Sequence, residues 1–208
     1  MYKFIFSFLL LSSTLYSQGV DLIGRPGFNF SKMNSANIPF KENATFKPGY
    51  SFGVGALVPI KSRHEIQANL FYENKGRKME FPYDKVRSNF NFLVFSSTFN
   101  YKARQDLPLF IKLGLYSGYL LKQKSKIIGE RINIVDDTHL FTKIDYGPLI
   151  GINWRFGLWE NIQLGIEESF AFSLQNTFKR PEDERRYDFR TYKHFVFATT
   201  IELIVVLQ

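Results

Sequence analysis

Apolar and polar residues alternate with a period of two through most of this sequence. Residues 145–156, DYGPLIGINWRF, show the pattern clearly. Every even-numbered position there is apolar or aromatic, whereas the odd-numbered positions are mainly charged, amide or glycine residues. A period of two indicates a β-strand with two different faces.

The same alternation predicts eight strands and almost no helix. Most of these segments are longer than the five or six residues of an ordinary soluble strand, and they suit tilted strands that cross a membrane. We place the strands at residues 20–31, 50–60, 65–75, 90–102, 109–122, 143–156, 161–176 and 191–207.

The connections between these strands alternate in length. Tight turns are predicted at residues 61–64, 103–106 and 157–160, and long polar loops at residues 32–49, 76–89, 123–142 and 177–190. Regular alternation of short and long connections is typical of an up-and-down barrel, with turns at the periplasmic rim and loops outside. The sequence therefore predicts an all-β fold, an eight-stranded antiparallel up-and-down transmembrane β-barrel.

The composition of the polar faces decides which side of each strand faces water. These faces carry Gly, Ser, Asn and Gln with isolated charges, whereas a solvated outer face would be richer in Lys and Glu. Such residues fit the narrow lumen of an eight-stranded barrel, so we expect the apolar faces to contact lipid. Aromatic residues near the strand ends indicate interfacial girdles: Tyr50, Tyr72, Tyr101, Tyr119, Tyr146, Trp154, Trp159 and Tyr192.

The first residues resemble an export signal. Lys3 precedes an apolar run from Phe4 to Leu11, followed by small and polar residues. This run is too short to span a bilayer, but it has the layout of a secretory signal peptide. We predict a signal peptide at residues 1–17 and one barrel domain at residues 18–208, located in the cell outer membrane.

Strand parity places eight charged side chains inside the barrel. Because a lone charge in a narrow lumen is costly, we expect them to form an ion-pair network that fills it. The predicted network comprises Arg25, Glu65, Glu73, Lys112, Asp145, Arg155, Glu167 and Glu202. Glu168 does not fit the pattern, because parity puts it on the lipid face; we expect a bulge or a rim position to remove it from lipid.

Basic residues are also concentrated in two of the long loops. Arginine and lysine there could contact lipopolysaccharide phosphates or an envelope protein partner, while solvated loops are the simpler interpretation. The candidate contacts are Lys122, Lys124, Lys126, Arg131, Lys179, Arg180, Arg185 and Arg186.

Composition and spacing argue against several kinds of chemistry. The chain has a net charge of +8, but its basic residues are scattered, so we predict no nucleic-acid partner. It has no cysteine, which excludes disulfides, thiol catalysis and cysteine-bound metals. The histidines His64, His139 and His194 lie on different connections without metal-ligand spacing, and no glycine-rich phosphate loop is present. We predict neither cofactor nor metal.

Six segments follow one another along the chain: GFNFS at 27–31, PGYSFGVGALVPI at 48–60, FYENKG at 71–76, LPLFIKLGLYSGYLL at 107–121, the 145–156 segment, and IQLGIEESFAFSL at 162–174. Their order resembles the Bacteroidota outer-membrane β-barrel family, the PorT-like or "porin family" proteins. The resemblance implies an eight-stranded outer-membrane barrel and says little about activity.

The sequence favours a non-catalytic accessory or interaction protein over three alternatives. A small channel or transport protein with a gated lumen is one, although eight strands normally leave no open pore. A barrel enzyme is the second, with His194 near Ser169 or Ser173 and Glu167. A soluble lipocalin-like barrel, with its apolar face turned inward around a ligand, is the third.

Overall fold

Antiparallel strands make up almost all of the described chain. The structure, a computed structural model, describes residues 19–35, 45–80, 85–128, 132–175 and 192–207. Among these residues, no helix is long and apolar enough to cross a membrane. The strands are β1 (Asp21–Ser35), β2 (Lys47–Lys61), β3 (His64–Glu80), β4 (Lys85–Lys102), β5 (Leu109–Ile128), β6 (Ile132–Val135), β7 (Ile144–Trp159), β8 (Ile162–Phe172) and β9 (Tyr192–Val205), with a 3₁₀ turn at Thr138–Leu140.

Eight of these strands close into a barrel. β1 to β5 pair in succession, β5 pairs with β7, β7 with β8, β8 with β9, and β9 returns to β1. Every one of these pairings is antiparallel. The predicted eight-stranded up-and-down barrel is therefore confirmed. Closure pairs both edges of each barrel strand, which is what hydrocarbon requires of a polypeptide backbone.

The apolar faces of the strands point outward, as predicted. Leu115 and Ile150 are 66% and 52% exposed, whereas Glu167 and Arg155 are 1% and 7% exposed. A soluble barrel that encloses its apolar face would show the reverse, so this orientation excludes the lipocalin-like alternative. Aromatic side chains also line the outer ends of strands: the Tyr50 and Tyr72 ring centroids are 6.1 Å apart, and Trp159 is 71% exposed.

Several strands extend well beyond the predicted limits. β3 pairs with β4 continuously from His64 opposite Tyr101 to Glu80 opposite Lys85. A 17-residue strand is about 55 Å long at 3.3 Å per residue, which exceeds what a tilted strand needs to cross a bilayer. Much of the predicted loops at 76–89 and 123–142 is therefore strand: the β3–β4 hairpin and the end of β5 project outside the membrane.

The short strand β6 was not predicted. It pairs with the end of β5, from Ser125 opposite Val135 to Ile128 opposite Ile132. The chain then turns through Thr138–Leu140 and places Phe141, 3% exposed, over the barrel mouth. The sequence pattern did not predict this arrangement, because a four-residue strand and a single turn are too short to show a hydrophobic period.

A bulge in β5 places Lys122 on the outer face of the barrel. Leu120 pairs with Phe92 and Lys122 with the preceding Asn91, so Leu121 is an extra residue. The bulge reverses parity above this point. Gln123 is therefore buried, while Lys122 is exposed.

Two glycines in β7 provide a test of this packing. A Cβ atom on Gly147 would lie 1.8 Å from the carbonyl oxygen of Phe172, whereas one on Gly157 would meet nothing within 4 Å. We expect Gly147→Ala to destabilise the barrel by about 1–3 kcal/mol, because the β7–β8 backbones must separate. Denaturant unfolding in detergent micelles measures this effect. Gly157→Ala is the matched control, and equal unfolding midpoints for the two variants would contradict the packing described here.

Candidate functional site

Four charged side chains from four strands meet in the middle of the lumen. Arg25 and Lys112 carry the positive charges, Glu167 and Glu202 the negative ones. Arg25 Nη2 is 3.1 Å from Glu167 Oε1, and Arg25 Nε is 3.9 Å from Glu202 Oε1. Lys112 Nζ contacts Glu167 and is 3.6 Å from Glu202 Oε1. All four are at most 7% exposed, so this group is a buried and formally neutral cluster.

Amide side chains complete the hydrogen bonding of this central group. Gln67 Nε2 donates to Glu202 Oε1 at 2.7 Å, while Gln67 Oε1 accepts from Lys112 Nζ at 2.9 Å and from Asn100 Nδ2 at 3.0 Å. Asn153 Nδ2 donates to Glu202 Oε2 at 2.5 Å. The sequence prediction named only the charges, although Gln67 shares its parity with Glu65 and could have been found by that signal.

A second charged group lies closer to the extracellular mouth. Lys75 Nζ is 2.7 Å from Asp145 Oδ2 and 3.5 Å from Glu73 Oε2, and the Tyr116 hydroxyl donates to Asp145 Oδ1 at 3.3 Å. His194 Nδ1 is 3.7 Å from Asp145 Oδ2. Glu73 and Asp145 belong to the predicted set, whereas Lys75 does not. Lys75 has the parity of Glu73 and is the last residue of the predicted third strand, so parity could have found it.

The third group closes the periplasmic end. Arg155 Nη1 is 2.6 Å from Glu65 Oε2, and its guanidinium carbon is 4.2 Å from the centroid of the Phe110 ring. Ile23, Leu57 and Ile204, each at most 2% exposed, form an apolar cluster at the same end. The structure thus turns all eight predicted lumen residues inward and distributes them among three separate groups.

The cavity that the structure describes between these groups is small. A cavity of about 30 Å³, enough for a single water molecule, lies among Arg25, Glu73, Lys75 and Tyr116. Above it, an apolar cluster fills the extracellular mouth: Met33, Phe90, Phe92, Val94, Tyr116, Leu120, Phe141 and Leu149. Phe141 packs edge-on against Phe90 with 4.9 Å between ring centroids. The described lumen is therefore a packed interior.

The predicted loop contacts divide into two sets. Lys122, Lys124 and Lys126 are exposed and lie on the strand β5, which corrects their assignment to a loop. Lys122 Nζ is 3.6 Å from Asp136 Oδ2. Hydrogen bonds from the hydroxyl and backbone N–H of Thr138 hold the pKa of Asp136 below its ordinary value. The other candidates lie outside the described residues: Arg131, Lys179, Arg180, Arg185 and Arg186.

The residues considered for catalysis do not assemble in the described structure. The Ser173 hydroxyl donates to the carbonyl oxygen of Gln175 at 3.0 Å, and neither ring nitrogen of His194 has a hydrogen-bond partner. His194 instead packs edge-on against Phe90, with 5.2 Å between ring centroids. Among the described residues, no group of three or more histidine or acidic side chains is arranged to hold a metal ion.

Comparison with known proteins agrees with this geometry. A family model described as "Outer membrane protein beta-barrel domain" matches residues 16–179, more than half of the chain. The chain belongs to this family. It is therefore an outer-membrane β-barrel protein, and its predicted location in the outer membrane is confirmed. No curated protein sequence matches it.

Several solved outer-membrane barrels are similar to this barrel protein at low identity. Neisserial surface protein A is 11% identical with a TM-score of 0.48, and the match covers 88% of this chain and 96% of that one. Ail of Yersinia pestis, solved with the heparin analogue sucrose octasulfate, is 10% identical with a TM-score of 0.43, covering 90% and 99%. OprG of Pseudomonas aeruginosa is 11% identical with a TM-score of 0.45, covering 92% and 97%.

The central cluster makes a quantitative prediction about stability. Removing the carboxylate in Glu167→Ala leaves Arg25 and Lys112 to share Glu202, so buried positive charge is no longer compensated. We expect this barrel to lose about 3–5 kcal/mol of unfolding free energy. Urea titration of the protein refolded in detergent, followed by tryptophan fluorescence, measures the loss.

The control for this variant is an ion pair in a periplasmic turn. Arg104 and Asp106 form a bidentate contact at 2.9 and 3.0 Å, but their side chains are 68% and 63% exposed. Exposed pairs contribute little, so Asp106→Ala should leave the unfolding midpoint almost unchanged. Equal losses for the two variants would show that burial does not make the central cluster important.

Proposed function

We propose that this barrel is a non-catalytic accessory protein of the outer membrane that binds lipopolysaccharide phosphates on its extracellular outer face. The observation that carries the proposal is a row of like charges on neighbouring strands. Lys78 on β3 lies opposite Arg87 on β4, and Arg87 lies opposite Lys126 on β5. Because like charges directly opposite each other destabilise a sheet, the Arg87–Lys126 pair favours a ligand that supplies negative charge.

Other basic side chains strengthen the positive potential around this row. Lys124 is exposed two residues nearer the membrane than Lys126, opposite Asn89, and Lys47 Nζ contacts the Asn89 side chain from β2. Burial, and then the charge of Arg87, hold the pKa of Lys47 below its ordinary value. We call Lys47, Lys78, Arg87, Lys124 and Lys126 the basic rim.

The position of the basic rim suits a phosphate-bearing lipid. The rim lies on the outer face of the extended hairpins, above the exposed rings of Tyr50 and Tyr119 and the partly buried Tyr72, which mark the interface. Basic residues just outside the hydrocarbon gain from anionic headgroups, and arginine can bind a phosphate through two N–H groups. Phosphates at this depth would relieve the repulsion between Arg87 and Lys126.

The packed lumen supports an accessory role over transport. The central cluster and the apolar cluster at the mouth occupy the space through which a solute would have to pass. Narrow eight-stranded barrels normally hold side chains rather than an aqueous channel. The proposal also includes two predictions from the sequence. Residues 1–17 are a signal peptide that is cleaved, and the chain resembles the PorT-like barrels of Bacteroidota.

Planar-bilayer recordings test the non-conducting lumen. The purified barrel should give no discrete conductance steps under an applied potential, because buried side chains fill the lumen. A sixteen-stranded porin reconstituted in the same way is the positive control. Regular steps that scale with the amount of inserted protein would favour the channel alternative.

Binding to lipopolysaccharide tests the basic rim. The double variant Arg87→Ala/Lys126→Ala removes two charges, each worth about 1 kcal/mol near an anionic surface, so affinity should fall about 30-fold. Calorimetric titration in detergent with intact and with dephosphorylated lipopolysaccharide measures this. The matched control is Arg63→Ala/Lys102→Ala, which removes the same residue types at the periplasmic end. Undiminished binding by the rim variant, or equal affinity for the dephosphorylated lipid, would contradict the proposal.

A further inference from the structure

The strand register gives the height of Arg87 and Lys126 above the membrane interface. On β4, Leu93 pairs with the interface residues Tyr72 of β3 and Tyr119 of β5. Arg87 lies six residues further toward the extracellular end of β4, where it pairs with Lys126. Six residues span about 20 Å along a strand. At the usual tilt of barrel strands this corresponds to a height of about 15 Å.

The headgroup layer of the membrane ends below this level. The polar layer of a bilayer is only about 5–8 Å thick on each side of the hydrocarbon. Exposed charges more than about 8 Å apart are largely screened at physiological ionic strength. A phosphate in the headgroup layer would therefore do little to relieve the repulsion between Arg87 and Lys126.

Other lysines lie at the level of the headgroups. Lys143 is exposed, and its Nζ is 5.7 Å from the centroid of the Tyr119 ring. Lys122 pairs with Asn91, two residues above Leu93, and its Nζ is 3.6 Å from Asp136 Oδ2. Lysines at this depth gain from anionic headgroups. We call Lys122 and Lys143 the lower tier.

The upper pair differs from Lys122 in its compensation. Among the side chains that the structure describes, no carboxylate forms an ion pair with Arg87 or Lys126. Residues directly opposite each other have Cβ atoms about 5 Å apart, and both side chains are exposed on the outer face. One phosphate group can therefore contact both, with two of its oxygens on the guanidinium of Arg87.

We infer that the phosphates bound by the upper pair are those on the core sugars of lipopolysaccharide rather than those on its lipid anchor. This inference rests on the proposed function and identifies the part of the lipopolysaccharide molecule that the basic rim recognises. Sugars attached to the anchor extend away from the membrane, so phosphate groups on them lie at the level of Arg87 and Lys126. Lys124, two residues nearer the membrane on the same face, continues the positive row toward the anchor.

Two forms of lipopolysaccharide distinguish the two sources of phosphate. One form has a phosphorylated core, and the other is truncated so that it keeps the anchor phosphates but has no phosphorylated core sugar. In calorimetric titrations of the full barrel in detergent, the first form should bind about 30-fold more tightly, because it alone engages two further charges. Arg87→Ala/Lys126→Ala should abolish this preference. Heat-modifiable migration on gels checks that the variant is folded.

The outcomes separate this inference from the proposed function. Equal affinity of the unmodified barrel for the two forms would overturn the inference and leave phosphate binding itself intact. Absence of binding to either form would overturn both.

The lower tier supplies the matched control. Lys143→Ala removes one charge at the headgroup level, so it should weaken binding of both forms by the same factor, about fivefold. The preference for the phosphorylated core should therefore survive in this variant. Loss of the preference in Lys143→Ala, or its survival in folded Arg87→Ala/Lys126→Ala, would overturn the inference.

Discussion

Hydrocarbon offers no hydrogen-bond partner to the peptide backbone, and this constraint underlies the whole structure. Every spanning strand must pair on both edges, so the first and last strands must meet. β1 and β9 do so from Leu22 opposite Val205 to Ser35 opposite Tyr192. With eight strands the closed barrel is narrow. The size of the lumen, and therefore what it can contain, follows from closure.

A narrow lumen determines how its charges are arranged. Arg25, Lys112, Glu167 and Glu202 come from four different strands, yet they converge because the opposite wall is within reach of one side chain. Amides such as Gln67 and Asn153 bind the remaining carboxylate oxygens. Burial of these charges costs solvation free energy, and their mutual pairing offsets that cost at the same place in the lumen. The result is a packed interior, and the outer surface is left to make contacts with other molecules.

Two features of the outer surface depart from a simple lipid-facing wall. At the extracellular end, Arg87 and Lys126 place like charges on adjacent strands. Between the aromatic ends, Glu168 places a carboxylate in hydrocarbon, with Thr199 as its donor. Neither arrangement improves the barrel taken alone, because each costs free energy in the isolated chain. The first is accounted for by the phosphate-bearing lipid that we propose. The second departs from the prediction that a bulge or a rim position would remove Glu168 from lipid, because β8 pairs regularly with β7 and β9 around it.

The sequence by itself determined the fold class, the number of barrel strands and the orientation of their faces. Alternation with a period of two is a local property, and the composition of the two faces tells lumen from lipid. Parity also selected the eight charged residues that the structure turns inward, including Glu65 with Arg155 at one end and Asp145 near the other.

Only the tertiary structure decided which of these residues meet and where alternation fails. Partners such as Lys112 and Glu167 are 55 residues apart, and their contact depends on barrel closure and register. The bulge at Leu121 reverses the parity of Lys122, and Lys75 is buried because β3 continues past the predicted strand end. A local pattern records which face a side chain occupies. Distances across the lumen depend on how the strands are paired, which no single segment encodes.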